Sequence, residues 1–154
     1  MNSENLLKIF DTNNSGFIDK NEFFEGLKTL FKLTEKERSL CDDIFNFCDG
    51  NGFFNSKNGQ LSKKELKLFI EALPKTFKDK NEVLGLIMFN LVDKDKNGTI
   101  EKKEFETYLK RVDNRFSSNQ MKTMFKTLSS LQNCISQENF IKYFIETNTK
   151  EGQN

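Results

Sequence analysis

Apolar residues recur along this chain in the pattern of helices separated by short polar loops. Four aliphatic residues lie in polar surroundings, and each is followed by an apolar residue five positions later and another nine positions later. The four sets are Ile18, Phe23 and Leu27; Leu61, Leu66 and Ile70; Ile100, Phe105 and Leu109; and Ile135, Phe140 and Phe144. Apolar residues four positions apart lie on one face of a helix. The pattern therefore predicts a helix after each of the four aliphatic residues.

A second set of apolar stripes precedes each aliphatic residue. These stripes are Leu6, Leu7 and Phe10; Ile44, Phe45 and Cys48; Met88, Phe89 and Val92; and Met121, Met124, Phe125 and Leu128. Spacings of three and four again place each stripe on one helix face. The chain is therefore predicted to repeat a unit of helix, loop and helix four times.

Capping residues and one proline divide these units. Three capping boxes are predicted: Thr34 with Glu37 and Ser117 with Gln120 open the entering helices of units two and four, and Ser62 with Glu65 opens an exiting helix. Pro74 cannot continue a helix interior, and it disfavours helical conformation at Leu73. We therefore predict an N-terminal lobe over residues 1–73, a linker over 74–79 and a C-terminal lobe over 80–154.

The loop DKDKNGTIEKKE, from Asp93 to Glu104, carries the most informative chemistry. Its carboxylates repel one another unless a cation lies among them. Calcium loops present oxygen ligands at positions 1, 3, 5, 7, 9 and 12, with glycine at position 6. The residues at these ligand positions are Asp93, Asp95, Asn97, Thr99 through its carbonyl, Glu101 through a water, and Glu104 through both carboxylate oxygens. Gly98 occupies position 6, and four lysines occupy intervening positions.

A second loop, DTNNSGFIDKNE from Asp11 to Glu22, has the same arrangement. Its predicted ligands are Asp11, Asn13, Ser15, Phe17 through its carbonyl, Asp19 and Glu22, with Gly16 at position 6. This loop has three carboxylates, whereas the loop at Asp93 has four. Because ligand charge sets affinity, we expect the loop at Asp93 to bind the metal more tightly.

On these two loops the chain resembles the calmodulin-like EF-hand family, over roughly residues 2 to 147. The resemblance implies an all-α fold of four EF-hand helix-loop-helix units paired into two lobes. It also implies that EF hands pair through a short two-stranded contact around loop position 8. Two Ca²⁺ ions are expected, one each in loops 1 and 3, with Mg²⁺ as a competitor.

Loops 2 and 4 depart from the family pattern. Loop 2, from Asp49 to Glu65, has 17 residues, five more than the pattern, and counting back from Glu65 puts Phe54 at the first ligand position. Asp49, Asn51, Asn55 or Asn58 could still supply oxygens, so its calcium binding is left open. Loop 4, from Ser129 to Asn139, is one residue short, with Glu138 as its only carboxylate and Asn139 in place of the bidentate glutamate. We predict that loop 4 does not bind calcium.

Composition narrows the function further. The 154 residues carry a formal net charge of +1, which implies no nucleic-acid partner. There is no histidine and no nucleophile or phosphate-loop motif, so no enzyme activity is expected. Neither a membrane span nor a lipid anchor is indicated. The three cysteines, Cys41, Cys48 and Cys134, indicate reduced thiols, with packing roles for Cys41 and Cys48. We expect a monomer located in the cytoplasm or the nucleus.

Three functions follow from this interpretation. The favoured one is a calcium sensor that binds a protein target, an amphipathic helix, in an apolar groove when loaded. The alternatives are a cytosolic calcium buffer and a light-chain-like subunit that holds a helical partner independently of calcium. The chain has 17 phenylalanines and four methionines, which predicts either a narrower target range than calmodulin's or simply well-filled lobe cores.

Overall fold

The computed structural model describes residues 3–49, 59–76, 78–112, 116–129 and 132–152, and this part of the chain is mostly helical. The helices are α1 (Ser3–Phe10), α2 (Lys20–Phe31), α3 (Arg38–Cys48), α4 (Lys63–Glu71), α5 (Lys80–Val92), α6 (Lys102–Val112), α7 (Ser118–Ser129) and α8 (Gln137–Gly152), with a short 3-10 helix at Glu35–Glu37. The strands are β1 (Ile18–Asp19), β2 (Gln60–Leu61), β3 (Thr99–Ile100) and β4 (Ile135–Ser136). The predicted all-α class is confirmed.

Two antiparallel strand pairs join the four units in twos. Ile18 lies opposite Leu61, and Ile100 lies opposite Ile135. These are the four aliphatic residues at loop position 8, and all are at most 1% exposed. Each pair thus fixes two loops side by side and places one aliphatic side chain from each in the core. The predicted contact around position 8 is confirmed.

Aromatic rings fill the centre of each pair of units. In the first pair, Phe23 contacts Phe10, Phe45 and Phe69 at centroid distances of 5.7, 5.7 and 5.0 Å. In the second pair, Phe140 lies 5.1 Å from Tyr108 and 6.1 Å from Phe89. Eleven of the 14 described phenylalanines are buried: Phe10, Phe23, Phe24, Phe45, Phe47, Phe69, Phe89, Phe105, Phe125, Phe140 and Phe144. Most of the described phenylalanines therefore serve the cores.

The two pairs of units also pack against each other, mainly through α3. Helix α3 contacts α5, α6 and α8, so its surface lies against the second pair as well as its own. The α6 guanidinium of Arg111 lies 4.9 Å from the Phe47 ring and donates to the Phe47 carbonyl at 3.4 Å. Cys41 and Cys48 are fully buried on α3, and burial raises the pKa of both thiols, in keeping with packing roles.

Buried polar contacts hold this interface in register. The Asn148 side chain on α8 donates to Asp43 at 3.0 Å and to the Phe144 carbonyl at 2.9 Å, and it accepts from the Ser39 hydroxyl. Asn148 is 5% exposed. Because an unpaired buried amide is costly, these bonds make the relative position of α3 and α8 specific as well as favourable.

An ion pair between the buried Glu37 and the N-terminal residue of α5, Lys80, links the two pairs at a second place. Burial alone would raise the pKa of Glu37, but hydrogen bonds from Lys80 and Thr34 outweigh burial and hold that pKa below its usual value. The predicted division at residues 74–79 stays a prediction; α4 ends at Glu71 and α5 begins at Lys80.

Two of the three predicted capping boxes open an α-helix in the structure, and the third does not. Ser62 with Glu65 and Ser117 with Gln120 both form reciprocal capping boxes, as predicted. Thr34 with Glu37 does not open an α-helix: Thr34 caps the 3-10 helix, and α3 begins only at Arg38. The Glu37 carboxylate accepts from the Thr34 hydroxyl at 2.8 Å and pairs with Lys80. None of the described helices is both long enough and apolar enough to span a membrane.

A close approach between α1 and α2 at Gly26 is testable. A Cβ at Gly26 would lie 2.2 and 2.4 Å from ring carbons of Phe10, the fully buried residue directly before loop 1. Alanine normally stabilises a helix interior by roughly 0.8–1.0 kcal/mol relative to glycine. Here we expect Gly26→Ala instead to lower the free energy of unfolding, by about 1–3 kcal/mol, because the ring has to move within a packed core.

Urea unfolding of Gly26→Ala in the presence of chelator measures this effect without any contribution from metal. The exposed neighbour on the same helix provides a control, since Glu25→Ala should change stability by less than about 0.5 kcal/mol. A Gly26→Ala variant that is more stable than the unmodified chain would show that the helices are not in this contact.

Candidate metal centre

Loops 1 and 3 have the same backbone conformation. Position 4 is left-handed in both, with φ of 57° at Asn14 and 59° at Lys96. Position 6 is also left-handed, with φ of 84° at Gly16 and 87° at Gly98. Glycine adopts this conformation without steric cost because it has no Cβ. The glycine therefore lets the chain turn sharply, so that oxygens on both sides of it face one centre.

In loop 3 the turn is held by the carboxylate at position 1. Asp93 is 3% exposed, and its two oxygens accept from the amides of Asn97 at 3.3 Å and Gly98 at 2.9 Å. Burial and the neighbouring Asp95 carboxylate raise the pKa of Asp93, against the opposing effect of those two hydrogen bonds. The Asp93 carboxylate is thus fixed in place next to a like charge.

Three predicted ligands of loop 3 converge. Carboxylate oxygens of Asp93, Asp95 and Glu104 all lie within 4.8 Å of one another. Glu104 closes the loop, since one oxygen accepts from the Glu101 amide at 2.9 Å and the other from the Lys94 amide at 2.8 Å. Both ends of the loop are therefore held together by the side chain predicted to bind metal with both oxygens.

The other predicted ligands of loop 3 are engaged within the loop. The Asn97 amide group donates to Asp95 at 3.2 Å and to Glu101 at 2.8 Å. Its side-chain oxygen accepts from the Thr99 amide at 2.9 Å. The Glu101 carboxylate is not part of the converging group. These hydrogen bonds keep Asn97 and Glu101 beside the centre. The Asn97 amide nitrogen donates to the carboxylates of both Asp95 and Glu101, which would otherwise repel each other.

Loop 1 repeats the turn with fewer charges. The two oxygens of Asp11 accept from the amides of Ser15 at 3.1 Å and Gly16 at 2.9 Å, and Asn13 also accepts from Ser15 at 3.1 Å. The Ser15 hydroxyl donates to the Phe17 carbonyl at 2.8 Å. These contacts bring together the predicted ligands at positions 1, 3, 5 and 7.

The far end of loop 1 is a capping box. Asp19 and Glu22 exchange hydrogen bonds of 2.7 and 3.1 Å between side chain and backbone at the start of α2. A second oxygen of Glu22 accepts from Thr12 at 3.3 Å. Within the described part of the chain, a group of three close carboxylates occurs in loop 3 but not in loop 1. Loop 3 thus gathers the greater negative charge.

Loop 2 shows a first position that counting along the sequence missed. Asp49 accepts from the Gly59 amide at 2.9 Å, the bond that Asp11 makes to Gly16 and Asp93 makes to Gly98. Gly59 is left-handed, with φ of 79°. Asp49, one of the four oxygen donors left open for this loop, therefore takes the place of the first aspartate, and the count back from Glu65 that reaches Phe54 gives the wrong register. Phe54, Asn51, Asn55 and Asn58 lie outside the described residues.

The end of loop 2 is also preserved. Glu65 stands at position 12 and accepts from the Ser62 amide at 2.9 Å, and it is 8% exposed. The five additional residues therefore lie between the first position and the glycine, and both ends keep their places. Asp49 was one of four possible oxygen donors in this loop, and a comparison of both loop ends with loops 1 and 3 selects it from the four.

Loop 4 is closed by an internal hydrogen bond. The Asn139 amide donates to the Leu128 carbonyl near the end of α7 at 3.0 Å. A glutamate at this position would offer two anionic oxygens, whereas the Asn139 amide nitrogen offers a donor. This bond joins the exiting helix to the entering helix without a metal. It favours the prediction that loop 4 binds no calcium, although Ser130 and Leu131 lie outside the described residues.

The donor set of loops 1 and 3 fits a hard divalent cation. Carboxylate, amide, hydroxyl and carbonyl oxygens are the ligands that calcium takes, six to eight at a time. Transition metals would favour imidazole or thiolate ligands. The chain has no histidine, and Cys41 and Cys48 are buried in α3. The carboxylate oxygens of Asp93, Asp95 and Glu104 lie close enough together to hold such a cation.

Comparison with known proteins agrees with this chemistry. Residues 4–30 and 87–112 match the EF hand domain. Calcium-binding protein CML19 from Arabidopsis thaliana is 30% identical over 110 residues, which make up 70% of this chain and 59% of that protein. The chain thus spans about three fifths of the length of this curated relative.

Solved structures give more distant likenesses. Calcium-loaded apo-aequorin from Aequorea victoria has a TM-score of 0.44 at 18% identity, and the match covers 91% of this chain and 84% of the aequorin chain. A light-sensitive photoprotein has a TM-score of 0.42 at 15% identity, covering 94% and 80%.

Two complete calcium-type loops, each between two helices and each paired with a second loop, define an EF-hand protein. The chain belongs to the calmodulin-like EF-hand family of calcium-binding proteins. This is a family of calcium-binding proteins and not of enzymes, in agreement with the expectation that the chain has no enzyme activity.

The position 12 glutamates provide a direct test of the two centres. We expect Glu104→Gln to weaken calcium binding at loop 3 by about 10- to 100-fold, because it removes an anionic oxygen but keeps the side chain's shape. Glu22→Gln should do the same at loop 1. Isothermal calorimetry of the calcium titration resolves both effects.

The matched control for Glu104→Gln is Glu106→Gln, two residues further along α6, which removes the same charge without touching the loop. It should leave the calcium titration nearly unchanged. An unaltered stoichiometry and affinity for Glu104→Gln would rule out the centre described for loop 3.

Proposed function

We propose that the protein is a calcium sensor that holds two calcium ions, in loops 1 and 3, and binds a protein target when loaded. One observation carries this proposal: helix α6 contains both Glu104, which closes loop 3, and Arg111, which contacts Phe47 in the other pair of units. A change in the position of Glu104 therefore acts on the same rigid helix that holds the two pairs together.

The chemistry of the ion is simple. Bound calcium supplies two positive charges that offset the repulsion among the loop carboxylates. The carboxylates of Asp93, Asp95 and Glu104 all accept hydrogen bonds from backbone amides of the loop, and of the three only Glu104 lies on α6. Glu104 is thus the ligand whose rearrangement would be transmitted to α6.

The charges of the two loops support unequal affinities. Loop 3 contributes four carboxylates, from Asp93, Asp95, Glu101 and Glu104, and loop 1 contributes three, from Asp11, Asp19 and Glu22. Sensor sites of this type bind calcium at about 10⁻⁷ to 10⁻⁵ M. Loop 3 would fill first, with Mg²⁺ competing at both loops because it also takes oxygen ligands.

The described conformation hides most apolar surface. Among the described residues, the exposed large apolar side chains are Phe17, at 45%, and Leu68, at 36%. A target-binding groove would therefore open by a movement of the two pairs of units relative to each other that widens the space between them. Since most described phenylalanines fill the cores, the groove would rely on the residues that this separation uncovers.

The same observation favours a calcium buffer as a second candidate. Each pair of units covers apolar surface of the other, and buffer proteins change their exposed surface little on binding metal. A light-chain-like role is favoured by loop 4, whose hydrogen bond between Asn139 and Leu128 closes it without metal. These roles differ in whether apolar surface and partner binding depend on calcium.

Fluorescence of an apolar dye, measured with calcium and with chelator, separates the sensor from the buffer. We expect a several-fold rise in dye fluorescence on calcium loading, because the groove exposes apolar surface that the closed form buries. Glu104→Gln should remove most of this rise at calcium levels that fill only the unmodified loop 3, and Glu106→Gln should not.

Calcium binding without a change in dye fluorescence would identify a buffer and exclude the sensor. A partner that the chain retains equally in calcium and in chelator would instead identify the light-chain-like role. The calcium titration runs alongside, so that an absence of response is not mistaken for an absence of metal.

A further inference from the structure

A cleft of about 550 Å³ lies between the two pairs of units, directly beside loop 3. Its floor is apolar and comes from α3, from α4 and the residue that follows it, and from α5; the residues are Phe47, Leu68, Ala72, Leu91 and Val92. Leu68 is one of the two exposed large apolar side chains among the described residues. The volume is within the range of about 300–1,000 Å³ that is usual for ligand pockets. We call this the inter-lobe cleft.

The rim of the inter-lobe cleft is cationic. Lys94 and Lys96 from loop 3 and Lys103 and Arg111 from α6 face two acidic residues, Glu71 and Glu104. The formal charge of the lining is thus four positive against two negative. The whole chain carries only +1, so the cleft concentrates positive charge that the rest of the surface balances.

Two of these cationic side chains are held in position by contacts with other residues. Arg111 is held against Phe47, and the Lys96 ammonium donates to the Asn90 carbonyl at 3.0 Å. Lys94 and Lys103 are exposed. A cationic rim above an apolar floor suits a ligand that has an apolar face bordered by negative charge.

Calcium loading would strengthen this preference. Of the two acids on the rim, Glu104 is the position 12 ligand of loop 3, so metal ligation withdraws one negative charge from the cleft. The remaining rim charges are then one acid, Glu71, and four cations. The loaded cleft should therefore attract an anionic partner more strongly than the metal-free cleft does.

We propose that the inter-lobe cleft binds an acidic amphipathic helix of a protein partner in a calcium-dependent way. Apolar residues of that helix at i, i+3, i+4 and i+7 would cover the floor, and its glutamates or aspartates would face the lysines of the rim. The inference rests on the proposed sensor function and specifies the partner's charge. If calcium raises the affinity of the cleft for this helix by a given factor, the bound helix raises the calcium affinity of loop 3 by that same factor.

Two synthetic peptides test the sign of the partner's charge on the full chain. Both share one set of apolar residues at helical spacing, and the polar positions are glutamate in one and lysine in the other. With saturating calcium at about 0.1 M salt, we expect fluorescence anisotropy to show the glutamate peptide binding about tenfold more tightly. This preference should shrink as salt is added and in the presence of chelator.

A matched pair of variants locates the binding site. Lys94→Gln with Lys103→Gln removes two rim charges and should weaken the glutamate peptide about three- to tenfold at saturating calcium. Lys122→Gln with Lys126→Gln removes two exposed charges from α7, outside the cleft, and should leave the affinity unchanged. Circular dichroism establishes that both variants keep their helical content.

The outcomes separate this inference from the proposed function. Tighter binding of the lysine peptide in calcium, or no effect of the rim variant, overturns the acidic partner but leaves the sensor intact. If neither peptide binds and the dye does not respond, although calcium does bind, both proposals fail. Rim-dependent binding to phosphatidylserine vesicles without binding of either peptide would also overturn the inference, since it would identify a membrane surface as the occupant.

Discussion

A single hydrogen bond organises the loops on which the site depends. The aspartate at position 1 accepts from the amide of the loop glycine at 2.9 Å in loop 1, loop 2 and loop 3. Charge-assisted bonds of this kind are stronger than those between neutral groups. They hold the turn in shape although it gathers negative charge. The oxygens at later positions converge because this bond sets the direction of the chain on both sides of the glycine.

Loop 2 shows how much of the loop this bond can determine. Five additional residues separate Asp49 from Gly59, yet the bond, the left-handed glycine and the strand pairing of Leu61 with Ile18 are all retained. Longer loops cost little additional closure entropy, so an insertion here is tolerated while the ends stay fixed. Loop 4 is also closed, but by a neutral hydrogen bond from Asn139.

Local patterns in the sequence were sufficient for the helices and for two of the three capping boxes, whereas the strand pairs were expected from the family resemblance. Spacing identifies a helix face, and Ser62 and Ser117 are satisfied by residues three positions away. Local sequence patterns were insufficient where the partner of a residue is distant in sequence. Glu37 was predicted to close a cap with Thr34, but its position near Lys80 and the α3 start at Arg38 follow from packing between the two pairs of units.

The candidate site divides along the same line. Its ligand positions in loops 1 and 3 can be read from two stretches of twelve residues, because every predicted ligand is local. The inter-lobe cleft could not be read in this way, since Phe47, Leu68 and Lys103 are apart in sequence and meet only because α3 packs on α6.

The contact between α3 and α6 also determines how far a local event can travel. Arg111 donates to the carbonyl of Phe47, which lies two residues before Asp49, the residue that begins loop 2. Glu104, on the same helix as Arg111, closes loop 3. The end of loop 3 and the beginning of loop 2 are therefore joined through two helices and one guanidinium group. Because packed helices move as rigid bodies, α6 cannot rotate about loop 3 without changing this contact, so the two pairs of units cannot respond independently.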